Sequence, residues 1–328
     1  MRKQRVKAKM SEEMLKVGLI VGREGTFPQA FLDSVNSRNA GVVAEMVVLG
    51  GSMMDEPCEY KVIVDRISHE VPYYRSYLKN ATLQGTVVIN NPFWWTADDK
   101  YIESTIANRL GVAHPKTVVL PNKAYIQGIV SESLRNLKYP MPWDEILAYT
   151  GLPAFLKPAV GGGWKNVYKV YNEQHLVECY DQTGELTMVL QEAIEFDKYV
   201  RCYAIGRDNI KVMPYAPSER RYIVNPNYLS PELHARIVGD CQKLCDALGY
   251  DMNTVEFAIR DGIPYAIDFL NPAPDMDYWS VGEEYYNWVI GAMTDLVIGY
   301  ATGEIKAQNP SYRWDSLLKG SAAVGNEG

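Results

Sequence analysis

Cysteine is scarce in this 328-residue chain: there are five, and none forms a CxxC pair. They are Cys58, Cys179, Cys202, Cys241 and Cys245. Cys241 and Cys245 stand four apart in a helical pattern, on one face, with no histidine beside them, so they read as free core thiols rather than a metal or redox centre. An odd count without disulfide spacing points to a reducing compartment, hence the cytoplasm. Basic residues are also short: 33 Lys and Arg face 40 Asp and Glu, for a net charge of −7. That balance excludes generic nucleic-acid binding, which needs a basic surface. A nucleotide ligand remains open, because it needs only a local basic pocket. Long hydrophobic runs are missing too. Val17 to Val21 is a short apolar stretch, far below the ~20 residues of a membrane span. The basic start, Met1 to Met14, lacks the apolar stretch of a secretory signal. Residues 1–14 and 319–328 read as flexible tails. The four histidines (His69, His114, His175, His234) fall in no pattern that demands chemistry. What the chain does have is 47% hydrophobic residues and 23 tyrosines, enough for a sizeable core and more than one domain or lobe.

Hydrophobic patterning divides the chain by texture. Val17 to Val21, Val42 to Leu49, Lys61 to Asp65 and Thr86 to Ile89 read as strands, with helical patterns between some of them. Such alternation predicts an α/β layer with a parallel sheet over 15–97. Ala97 to Leu110 is the next helix, closed by Gly111, and Thr117 to Leu120 is a strand. From Ala154 strand-like runs dominate, which suits antiparallel sheets. Ser230 to Leu248 is a long helix with Ser-Pro at its start and Gly249 as its stop. Two strands joined by Asp261-Gly262 come next, a strong hairpin signal. A final helix covers Glu283 to Thr302.

Three segments carry candidate chemistry. In the first, Lys157 at a strand end leads into Gly161-Gly162-Gly163, with Lys165 beyond. Three glycines let backbone N–H groups turn toward one anion at little steric cost, and the lysines supply charge at both ends. No helix comes after the glycines, so this is neither a Walker loop nor a Rossmann turn; it is a flap over phosphates or an ordinary glycine-rich hairpin. In the second, Glu256 and Asp268 lie on the two arms of one hairpin, with Asn271 after them. Two carboxylates and an amide oxygen are hard ligands suited to magnesium; the alternative is a carboxylate paired with an arginine. In the third, Gln191, Glu192 and Ile194 form a short connector between strands, followed by Asp197 and Arg201. Connector backbone groups can read an adenine edge, and Asp197 can take ribose hydroxyls.

In this order, with Lys100 on the preceding helix, these segments resemble the ATP-grasp superfamily, and within it the glutathione-synthetase-like and ribosomal-protein-glutamate-ligase-like members. The resemblance covers about residues 98 to 300. It implies an N-terminal parallel-sheet domain (15–97) and a two-lobed ATP-grasp core (98–318), with a flap lobe at about 115–190 and a metal-binding lobe at about 191–318. Lys100 and Lys157 would bind ATP phosphates, and the Gly161 to Lys165 loop would close over them. Gln191, Glu192 and Ile194 would hold adenine, chiefly through backbone, with Asp197 at the ribose. Glu256, Asp268 and Asn271 would hold magnesium, with manganese as an alternative. Arg221, Arg201 and Lys165 would neutralise charge at the transferred phosphoryl group.

The implied activity is ATP-dependent ligation of a small-molecule carboxylate to an amine through an acylphosphate, without nucleic acid or membrane as partner; a homodimer is left open. Asp268 stands three residues before Asn271, where many relatives carry a carboxylate two before, so a bulge at Phe269 or Leu270 is expected. Thr254 stands where amino-acid-ligating relatives often carry arginine. Trp164 is bulky within the flap. The spacing and Trp164 support the rival reading, a nucleotide-binding regulator that keeps the fold without turnover. Arg23 and the Asp65 to His69 segment, after the first and third strands, are further candidates for a substrate pocket.

Overall fold

The computed structural model describes residues 14–93, 99–161 and 164–307. In chain order the elements are β1 (Leu15–Ile20), α1 (Phe27–Ser37), β2 (Val42–Met46), β3 (Tyr60–Asp65), α2 (Pro72–Leu83), β4 (Val87–Ile89), α3 (Lys100–Arg109) and β5 (Thr117–Leu120). Then come α4 (Trp143–Thr150), β6 (Ala154–Pro158), β7 (Tyr168–Val170), α5 (Glu173–Asp181), β8 (Met188–Glu192), β9 (Lys198–Ile205), β10 (Asn209–Ala216) and β11 (Arg221–Tyr222). The last are α6 (Pro231–Leu248), β12 (Met252–Arg260), β13 (Ile263–Asp268), α7 (Tyr278–Val281) and α8 (Glu283–Thr302).

The fold mixes a parallel sheet with two antiparallel ones, as the texture of the sequence predicts. The chain divides into two compact units, one running to Pro92 and resuming at Met276, the other spanning Phe93–Asp275. The expectation from sequence assigns 276–318 to the second domain. It differs there because α8 packs on α1 and on the strands of the first sheet.

In the first unit the order is β2-β1-β3-β4, all parallel. Val17, Leu19, Ile63 and Val64 are fully buried, which is why these strands read as continuous apolar runs. Asp277, from the returning segment, accepts hydrogen bonds from the backbone N–H of Gly25, Thr26 and Phe27 at 2.8–3.0 Å. These are donors that the start of α1 leaves unsatisfied.

The second unit holds two antiparallel sheets. One, ordered β5-β8-β6-β7, buries Leu120, Leu156, Met188 and Leu190 against α4 and α5. Helix α5 lies between two of the strand-like runs, in a stretch that the sequence reading leaves unassigned. Asn172 caps it by accepting from the His175 N–H at 2.8 Å, and Leu176, Cys179 and Tyr180 recur at helical spacing to face the core.

The other sheet, ordered β11-β10-β9-β12-β13, packs one face on α6. Ser230 caps α6 by accepting from the Leu233 N–H, and Gly249 ends it at φ 73°. Val200, Cys202, Ala204, Val255, Phe257 and Ile259 meet Ile237, Cys241, Leu244 and Leu248 there. Each fully buried large aliphatic or aromatic side chain contributes about 1.5–3 kcal/mol. The β12–β13 hairpin turns at Asp261-Gly262, both with positive φ, as a two-residue primed turn requires.

Candidate active site

The face of the β9–β13 sheet opposite α6 carries the polar residues. Strand register sets them in a row: Arg201 on β9 lies opposite Glu256 on β12, and Glu256 lies opposite Asp268 on β13. Opposed residues share a face, so these three side chains project to the same side. The pairing slips between Glu256 and Phe257, which leaves Ile267 as the extra residue on β13. The bulge therefore falls before Asp268, not at Phe269 or Leu270 as the sequence suggests. The buried Asn253 ties down the segment after β13: its amide donates to Phe269 O at 2.9 Å and accepts from the Asn271 N–H at 2.9 Å.

Glu256 is enclosed by donors. Arg201 Nη2 reaches Oε1 at 2.9 Å, and the Tyr199 hydroxyl donates to Oε2. Glu256 is thus paired with an arginine in this structure. Burial pushes the Glu256 carboxyl upward; Arg201 opposes the shift and Asp268 reinforces it. The Arg201 guanidinium lies 4.0 Å from the centre of the Tyr215 ring, a cation–π contact. Tyr203 donates to Asp275 O at 2.6 Å and lies 3.0 Å from the Tyr222 hydroxyl.

Two lysines approach from other elements. Lys157, near the end of β6, donates to Ile267 O at 3.3 Å, using a carbonyl at the bulge. Burial lowers its affinity for a proton and Lys100 adds to that, while Asp268 works against both. Lys100 opens α3, where Asp99 accepts from the Tyr101 N–H at 2.8 Å, and its ammonium donates to Gly161 O. One helical turn on, Glu103 is 2% exposed and its Oε1 has no hydrogen-bond partner. Burial, reinforced by Asp268, drives this carboxyl well above its ordinary range; Lys100 and Lys157 oppose the shift. The sequence reading passed over Glu103.

Solved structures supply the comparison. D-alanine–D-alanine ligase from Bacillus anthracis matches with TM-score 0.62 and 17% identity, over 89% of this chain and 100% of that one. A RimK domain ATP-grasp protein from Sphaerobacter thermophilus matches with TM-score 0.65 and 16% identity, over 87% of this chain and 100% of that one. The chain has the ATP-grasp fold. The ATP-grasp ligase PsnB, solved with a precursor peptide and AMPPNP, matches with TM-score 0.59 and 13% identity, over 88% of this chain and 98% of that one. No family model matches the sequence, and no curated protein matches it.

Within this ATP-grasp fold the remaining expected residues are scattered. Gln191 is buried on β8, and its amide donates to Thr117 Oγ1 at 3.1 Å, which Ser104 of α3 also contacts at 3.1 Å. The Glu192 carboxylate lies 3.4 Å from Arg260 Nη1. The backbone N–H groups of Glu192, Ala193 and Asp197 bond Lys116 O, Pro153 O and Ile259 O. Ile194 joins an apolar cluster with Tyr199, Tyr215 and Ala258, and the Asp197 residue is exposed. Lys165 is exposed, as is its neighbour Trp164, at 71%. Arg221 is not brought to the row. It pairs with Glu219 at the sheet edge, and its neighbour Tyr222 contacts Tyr215 instead. Gly162 and Gly163 lie outside the described residues, as do both expected tails apart from Met14.

The loops of the first unit are internally satisfied. Asp65 accepts from the N–H groups of Ile67 and Ser68 at 3.1 and 2.9 Å. Arg66 pairs with Glu24 and stacks on Phe27, its guanidinium 5.0 Å from the ring centre. Arg23 is exposed. Among the described residues no helix is long and apolar enough to cross a membrane.

The fit to a divalent cation rests on the row. Glu256 and Asp268 are opposed carboxylates on one face, close enough in register to share an ion with phosphate oxygens. Among the described residues no group of three or more His, Cys, Asp or Glu side chains is gathered for a metal. The residues that would hold such an ion are Glu256, Asp268 and the exposed Asn271.

Proposed function

We propose that this protein is an ATP-dependent ligase that activates a carboxylate as an acylphosphate and joins it to an amine. The observation that carries the proposal is the arrangement of Lys100 and Lys157 from separate elements together with the Arg201–Glu256–Asp268 row, all in an ATP-grasp fold. The ligases among the structural neighbours support the reading.

Lys100 and Lys157 hold phosphate oxygens as charged donors, exchanging the backbone carbonyls that they now contact. Glu256, Asp268 and Asn271 hold magnesium, which when bound offsets charge on the phosphates. Arg201 orients Glu256 and opposes the upward push of burial on its carboxyl. The substrate carboxylate attacks the γ-phosphate, releasing ADP. A bound amine then displaces phosphate and loses a proton to leave the amide. Lys165 and Arg221, both exposed, complete the charge balance only if their segments close over the nucleotide.

The test is ADP release by the full chain over a panel of acid and amine pairs, short peptides included. Asp268→Asn lowers the rate at least about a hundredfold, the scale of losing one electrostatic group at the transition state, with an unchanged circular dichroism spectrum. ATP binding with no ADP released for any pair would favour the regulator reading that Trp164 suggests.

A further inference from the structure

Helix α3 buries Lys100, Glu103, Ser104 and Ala107 along one stripe. Within that stripe the Glu103 Oε1 is buried without a hydrogen-bond partner. Buried polar atoms in folded proteins are nearly always bonded, so an exception calls for a ligand, a water or a role. The charged groups that act on this carboxyl are Asp268 on β13, Lys100 and Asp99 at the start of α3, and Lys157 on β6. Two of these are the lysines assigned above to phosphate, and Asp268 is assigned to magnesium. Neither lysine bonds Glu103; they donate to the main-chain carbonyls of Gly161 and Ile267.

These neighbours narrow the ligand to phosphate or metal. Among the described residues Glu103 is not gathered with Glu256 and Asp268 into a metal-holding group, which favours phosphate. Its charge state then decides its effect. An ionised carboxylate offers only acceptors and would repel a phosphate. A carboxylate with no bonded cation is also costly in a dry interior. Burial, with Asp268 nearby, drives this carboxyl upward, toward its neutral form. A neutral carboxyl carries a hydroxyl hydrogen, and phosphate oxygens accept one. The charge of an arriving phosphate pushes the same way, because it favours the protonated carboxyl.

Resting on the ATP reading above, we propose that Glu103 is a phosphate-binding residue: as a neutral carboxyl it donates a hydrogen bond to a phosphate oxygen of the nucleotide, alongside the ammonium groups of Lys100 and Lys157. The proton stays on the carboxyl, and no bond is made or broken. Glu103 thereby gives the site a further phosphate donor without a further positive charge.

The experiment is calorimetric titration of the full chain with ATP, with and without magnesium, and competition against ATP by inorganic triphosphate and by adenosine. In Glu103→Ala the affinity for ATP falls about tenfold to a hundredfold, the scale of one hydrogen bond to a charged group. Inorganic triphosphate weakens alike, and adenosine does not. Glu103→Gln, whose amide N–H can donate in place of the hydroxyl, stays near the native affinity. Glu103→Met, close in volume and without a donor, repeats the loss and decides the matter if the alanine variant folds poorly. Tighter ATP binding in the alanine and methionine variants overturns the proposal, since it marks an ionised carboxylate that repels phosphate. Unchanged affinity in both overturns it and leaves Oε1 to a water. A loss that vanishes without magnesium assigns Glu103 to the ion instead, and an equal loss toward adenosine assigns it to packing or to the nucleoside. Each of those outcomes leaves the ATP reading standing. Failure of the native chain to bind ATP at all sinks both.

Discussion

The two faces of the β9–β13 sheet are made from alternate residues of the same strands and do opposite things. Toward α6 the strands turn Val200, Cys202, Val255, Phe257 and Ile259, closed off from water. Away from it they turn Tyr199, Arg201, Thr254 and Glu256, where polar groups outnumber their partners. Thr254 Oγ1 and Arg201 Nε are buried there without a hydrogen bond. One face supplies stability that the other can spend on unmet polarity. A β-strand with period two can hold both on adjacent residues.

Exchanging the roles of the faces is the strongest way to break this contrast. Phe257→Ala empties the α6 face and costs about 3–5 kcal/mol of stability, measured by urea unfolding, while ATP affinity of the folded fraction is kept. Lys157→Ala, which removes the lysine that reaches the β13 edge from β6, does the reverse: affinity for ATP drops by about 1.5–3 kcal/mol in calorimetry, with the unfolding midpoint little changed. Equal effects of the two variants on both readouts would dissolve the distinction between the faces.

Arg201→Lys sharpens the contrast further. Lysine keeps the charge beside Glu256 but loses the planar stack on Tyr215, so stability falls by about 1–2 kcal/mol. No loss would mean that the stack contributes nothing.

The smallest effect is one of pH. The Glu103 carboxyl is raised above its ordinary value of 4.5, chiefly by burial. Its contribution to stability is whole below that value and is lost as pH rises through the raised one. Relative to Glu103→Gln, the native chain therefore loses stability as pH rises from the ordinary carboxyl value toward the raised one. Melting temperatures of the two proteins that run parallel as pH rises would show that burial does not raise the carboxyl.

How far the sequence foretold the structure depends on what local pattern can encode. Helix α8 occupies the predicted Glu283 to Thr302, because its apolar positions and glycine stop are local. The Glu256–Asp268 juxtaposition was legible because a two-residue turn fixes the register. The bulge at Ile267 was not, since it depends on how both strands meet the loop that Asn253 ties down. Glu103 escaped because a glutamate in a helix usually reads as solvated. The signal was nonetheless present: Lys100, Glu103, Ser104 and Ala107 recur at three- and four-residue spacing and form the buried stripe of α3. A helix that turns polar residues inward along such a stripe marks a site. Arg221 fared differently, because proximity in sequence to the tyrosine-lined face did not decide which side of a two-residue edge strand it takes.

The return of the chain to its first unit at Met276 also bears on how the protein is made. The parallel sheet leaves the ribosome well before α8, which packs against it and α1. Until then the start of α1 also lacks the Asp277 carboxylate that satisfies its N–H groups. The segment Phe93–Asp275, which contains its own cores, can fold while the earlier part still waits. Nascent chains halted before residue 276 should therefore protect the later segment from protease and leave the earlier one open, so that birth order and folding order are reversed.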